Sequence, residues 1–110
     1  MSEHFHFLIM QTSGFMAEIP DELKADILKK TIRTIGLKPD FLIFDASHNG
    51  ETLEDEGRSL HIGMERLPKK VYAKLDDFGS VEALKENMGE YAPSSLNTQY
   101  VTTLMLAEEY

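Results

Sequence analysis

The sequence predicts one α+β domain in which two helical segments cover one face of an antiparallel four-stranded sheet, and three observations carry that prediction. Apolar residues alternate at period two in 4–11 and 59–65 and recur at three- and four-residue intervals in 21–35 and 68–88. Glycine and proline punctuate the boundaries between these stretches. The resulting order is strand, helix, strand, strand, helix, strand, the ferredoxin-like βαββαβ arrangement. With 42% hydrophobic residues, residues 1–110 can form a single globular domain around a core that needs no disulfide or metal.

His4–Gln11 (HFHFLIMQ) is aromatic and β-branched over strand length, with Phe5, Phe7 and Ile9 on one face. Thr12–Ile19, containing Gly14, reads as a connection leading to Pro20, which suits a first helical position; Asp21 and Glu22 then favour the positive end of the helix dipole. Leu23, Ile27, Leu28, Thr31, Ile32 and Ile35 form the inward stripe of that helix, and Gly36 is placed to end it in a left-handed cap. Pro39 blocks continuation. Phe41–Phe44 (FLIF) reads as a short strand buried on both faces, and Ser59–Glu65 as a third strand with Leu60, Ile62 and Met64 on one side. Pro68 opens a helical pattern through Val71, Tyr72, Leu75 and Phe78; Gly79 breaks it, and Ser80 caps a further stretch with Val81, Leu84 and Met88. Pro93 marks a loop, Gln99–Leu106 is the last strand, and Glu108 and Glu109 are expected to fray. With both helices on one face, the opposite face carries Leu8 and Met10 and is expected to serve as a homodimer interface.

The net charge of −8 is unevenly spread: residues 39–57 hold six carboxylates and no base, residues 58–74 carry +4, and residues 75–110 carry −6. This balance disfavours direct nucleic-acid binding and an anionic membrane surface. No apolar run approaches the ~20 residues that span a bilayer, and Met-Ser-Glu-His lacks the basic and apolar regions of a signal peptide, so a cytoplasmic location is expected. The absence of cysteine removes thiolate metal sites and cysteine nucleophiles.

Two constellations have metal-binding chemistry. Asp45, Ser47, Asn49, Gly50 and Glu56 follow the spacing of a calcium loop, with the Glu51 carbonyl as a further ligand, yet the helices that flank such a loop are replaced by FLIF on one side and Gly57 on the other. The alternative is an exposed connection with solvated acids. His4 and His6 share one face of the first strand, and in the ferredoxin-like register His61 would stand beside them, with Glu65 near; three imidazoles could hold zinc or relay protons. The alternative is three polar residues on a solvated face. Asp45, Ser47 and His48 have the residue types of a hydrolytic triad but not its strand-to-helix elbow. Gln11–Gly14 lacks the lysine and glycine spacing of a P-loop. Arg66, Lys69, Lys70 and Lys74 fit a solvated helix face better than a nucleic-acid site.

The leading expectation is therefore a non-enzymatic acidic binding or inhibitor protein with no cofactor and no catalytic residues. It would dock a basic surface of a partner protein through Glu51, Glu54, Asp55 and Glu56, with Asp76 and Asp77 as a second patch. In size and charge it resembles small acidic antagonists such as anti-restriction, anti-CRISPR or toxin-immunity proteins, without sharing a motif. The alternatives are a small metal-dependent or His-assisted enzyme using the open sheet face, with His6 and His61 as ligands or base, and a Ca-binding loop protein.

Overall fold

The structure, a computed structural model, describes residues 6–110. Its strands are β1 (Leu8–Gln11), β2 (Phe41–Asp45), β3 (Glu51–Glu54), β4 (Ser59–Gly63), β5 (Val71–Asp77) and β6 (Tyr100–Leu106). The helices are α1 (Ser13–Glu18), α2 (Asp21–Thr34) and α3 (Val81–Met88). The strands form one six-stranded sheet in the order β1-β6-β5-β2-β4-β3. Pairs β1/β6 and β2/β4 are parallel, and β5/β6, β2/β5 and β3/β4 are antiparallel. The ferredoxin-like expectation is therefore corrected: the sheet is mixed and six-stranded, with three helices.

Two segments account for the difference. Residues 71–77 form a strand because Val71, Ala73 and Leu75 are buried while Tyr72, Lys74 and Asp76 are partly exposed, a period of two that places this segment between β6 and β2. Val71 and Leu75 fit helical spacing equally well, which is why the pattern read as a helix. Residues 51–54 add β3, an edge strand whose glutamates and exposure concealed it. In addition, Ser13–Glu18 is helical: the Thr12 hydroxyl accepts from the Phe15 N–H at 3.2 Å and caps α1.

The helix expected from residue 21 is present, with Pro20 one position earlier than predicted, as the N-cap. It ends through Ile35 in extended backbone, without the left-handed glycine cap assigned to Gly36. Ser80 does cap α3, accepting from the Ala83 N–H at 3.0 Å. The expected fraying of the tail is corrected too. Glu109 accepts from the Thr12 hydroxyl at 2.6 Å and the Leu106 N–H at 2.8 Å, Glu108 pairs with Lys69 at 2.9 Å, and the Tyr110 ring lies 5.7 Å from that of Tyr72.

The main core lies between one sheet face and α1 and α2, joining Phe15, Leu23 and Ile27 to Leu42, Phe44, Ala73 and Leu104. A smaller cluster on the other face packs Leu84 of α3 and Leu96 against Leu8 and Val101. Helices thus lie on both faces, and Leu8 is covered by α3 instead of standing on an open surface. The part of that second face left open carries Phe41, Tyr72 and Tyr110 as an aromatic group, with Lys74 Nζ 5.4 Å from the Tyr110 ring centre. No helix among the described residues is long and apolar enough to cross a membrane.

Candidate functional site

The open sheet face carries a knot of side chains centred on His61. In register, His61 of β4 stands between Ile43 of β2 and Thr52 of β3. Asp45, at the end of β2, and Glu54, at the end of β3, reach it from either side: Nε2 lies 2.8 Å from Asp45 Oδ2 and Nδ1 2.9 Å from Glu54 Oε2. Two carboxylate acceptors are both satisfied only when both ring nitrogens carry protons, which is the imidazolium form. Burial draws the His61 pKa down, but the two hydrogen bonds and the two negative charges outweigh it and the net shift is upward. Asp45 is held well below the ordinary carboxylate range, chiefly by the Ser47 backbone N–H at 3.0 Å, then by His61 and the Ser47 hydroxyl at 2.8 Å. Lys70 Nζ is 3.9 Å from the same carboxylate.

His48 completes the knot. Its ring stacks flat on His61 with centroids 3.9 Å apart and bonds Thr52 Oγ1 at 3.0 Å. The turn that brings it there lies directly on β4: Gly63 N–H donates to Gly50 O at 2.8 Å, and a Cβ on Gly63 would collide with the His48 carbonyl. Gly50, at φ +70, provides the left-handed residue of that turn.

The calcium-loop residues are spread by β3. Asp45, Ser47 and Asn49 lie before this strand, Glu56 lies beyond its far end, and the intervening four residues span about 13 Å. Asp45 is, moreover, already engaged by Ser47 and His61. The zinc reading assumed that the first strand neighbours β4; four strand spacings of about 4.8 Å separate β1 from β4, so His6 and His61 are far apart. His4 lies outside the described residues, and Glu65 is exposed beyond β4. Among the described residues no group of three or more His, Asp or Glu side chains is arranged to hold a metal ion.

Sequence reasoning named Asp45, Glu54 and His61 but assigned them to three different sites. Nothing local joins residues 7 and 16 positions apart across a sheet; only the β2/β4/β3 register does.

The same register gathers the acidic residues. β2 and β4 begin, and β3 and β5 end, at one end of the sheet. Glu54, Asp55 and Glu56 therefore share that end with Asp40, Asp76 and Asp77, and the two patches inferred separately from sequence form one rim. Three strand spacings, about 14 Å, separate β3 from β5. Bases at this end offset part of that charge: Arg58 pairs with Asp55 at 3.5 Å and Lys74 with Asp76 at 3.4 Å, and the Lys38 side chain lies beside Gly57. Asp55 (φ 52) and Glu56 (φ 57) are held left-handed, an uncommon state for non-glycine residues. Asp77 accepts from the Gly79 N–H and from Gln99, both at 2.8 Å, and its pKa is lowered by these bonds. Glu51 is set apart: it lies at the opposite end of β3 and pairs with Lys30 of α2.

In comparisons with protein-family models, curated proteins and solved structures, nothing matches this chain.

Proposed function

We propose that the protein is a non-enzymatic binding protein whose acidic rim docks a basic surface of a protein partner. The observation that carries this reading is the convergence of Glu54, Asp55, Glu56, Asp40, Asp76 and Asp77 at one end of the sheet. Such a patch raises the association rate by long-range attraction and fixes the orientation of approach. The His61 knot supports the same reading, because a general base needs a free ring nitrogen and both of His61's are engaged by carboxylates.

The test is binding of a Lys/Arg-rich peptide by the wild-type chain and by a D55N/E56Q/D76N/D77N variant, at about 50 and 200 mM salt. Neutralising the rim should weaken binding at least tenfold and flatten its salt dependence. A second variant, E18Q/D21N/E22Q/E108Q, removes four acids away from the rim and should bind nearly as wild type. Equal losses in the two variants, or binding insensitive to salt, would overturn the proposal.

A further inference from the structure

A cleft of about 290 Å³ lies between α3 and the β1/β6 edge of the sheet, and two of its walls adjoin the acidic rim, Val101 in register with Asp76 and Phe78 next after Asp77. Met10, Phe78, Leu84, Met88 and Val101 form its walls. Asn87 and Thr103 stand among them, and their side chains make no protein hydrogen bond among the described residues, while Gln11 borders the cleft at the end of β1 with its register partner Leu104 on the main-core face. Three features define what such a space accepts.

No charged side chain lines it, although 27% of the chain is charged. Lys74, in register with Thr103, is directed to Asp76 and the Tyr110 ring. An anion placed here would lose water without meeting a countercharge, and a cation likewise. The volume is about twice the ~150 Å³ that accommodates benzene in an apolar cavity, which suits a body of two fused rings. The Asn87 side chain offers one acceptor and two donors, the complement of a carboxamide, and the Thr103 hydroxyl can donate or accept beside it. Two methionines in the walls adapt to the outline of a ligand, and a concave, mostly apolar space with a few polar groups is the usual form of a small-molecule site.

We propose that this cleft binds an uncharged small molecule with an apolar body of two-ring size and a carboxamide-like polar end. The apolar body packs against Met10, Phe78 and Met88 over the buried Leu84 and Val101, and the polar end meets Asn87 and Thr103 at the surface. The cleft borders Asp76 and Asp77, but the two readings are tested with different ligands and different variants, so the failure of one is distinguishable from the failure of the other.

The experiment is an NMR titration of the whole chain with 2-naphthamide and, separately, with its anionic counterpart 2-naphthoate, following backbone amides and methionine methyls. Two variants fill the space: Thr103→Phe, at a half-buried strand position that favours aromatic residues, and Met10→Trp, at a side chain 48% exposed and thus tolerant of size. The expected result is a saturable shift at Met10, Met88 and Thr103 with 2-naphthamide. Affinity should fall at least tenfold in whichever variant folds, and at least tenfold for 2-naphthoate on the wild type. No saturable shift, shifts confined to other residues, or undiminished binding by the filled variants would overturn the site. Equal affinity for the naphthoate would overturn its selectivity for neutral ligands. Concentration-dependent broadening of the same resonances without ligand, together with a dimer in sedimentation, would show a second copy in the cleft and overturn it also.

Discussion

At His61 a single proton decides whether two acceptors are satisfied, so stability there is coupled to pH. Its folded pKa is raised above the ordinary 6.5, so its contribution is complete below about 6.5 and is lost as pH rises through the folded value. Asp45 is shifted the other way from 3.8; its contribution is present above that value and is lost as pH falls through the lower folded one. The knot therefore stabilises most between these limits. His61→Gln should cost about 1.5–3 kcal/mol near pH 5.5, the range for hydrogen bonds to charged groups, and less at pH 8; urea midpoints of both proteins across pH would show it. A pH-independent difference would mean that packing, not charge, holds the residue. Thr102 makes the opposite case. Its side chain is fully buried on the main-core face and its hydroxyl has no partner among the described residues. Thr102→Val removes the unsatisfied oxygen at nearly constant shape, and thermal unfolding should show a gain of about 1 kcal/mol.

Among the elements, α3 and the 45–50 turn depend on single residues. The helix has eight residues, too few to persist without its cap and its packing against the sheet. Ser80→Ala should cost about 1 kcal/mol in a denaturant titration. Gly63→Ala forces the His48 carbonyl away from β4 and should cost about 1–3 kcal/mol, with loss of the ring-stacking shifts of His48 and His61 in NMR spectra. The sequence was legible where local signals agreed: the α2 stripe from Leu23 to Ile27, the Ser80 cap, the FLIF strand and the final strand all appear close to their expected positions. It misled where two periods coincided, at Val71 and Leu75, and where charge hid an edge strand, at Glu51–Glu54. The parallel pairings β1/β6 and β2/β4 have no local signature, since they join segments brought together by the rest of the sheet. That is also why the Asp45–His61–Glu54 knot could not be read, although all three residues had been singled out.

Across the whole molecule, charge is sorted by the strand directions. At the end opposite the rim Lys69 is matched by Glu18 and Glu108 and Arg66 by Glu22, whereas at the rim Arg58 and Lys74 offset Asp55 and Asp76, and Asp40, Glu56 and Asp77 stand without a basic partner among the described residues. Adding salt should therefore slow association with a cationic partner more than it hastens dissociation, a split that stopped-flow kinetics would resolve. β3 pairs with β4 alone, and two charge clasps secure it: Lys30 to Glu51 from the helical side and His61 to Glu54 from the open side. Loss of one His61 proton leaves a single N–H for the carboxylates of Glu54 and Asp45, and so weakens the second clasp. In hydrogen exchange, the amides of residues 51–54 should then open ahead of the rest of the sheet, and increasingly so as the solution turns alkaline. Glu54, Asp55 and Glu56 would then be held less firmly, making the presentation of the acidic rim a function of pH.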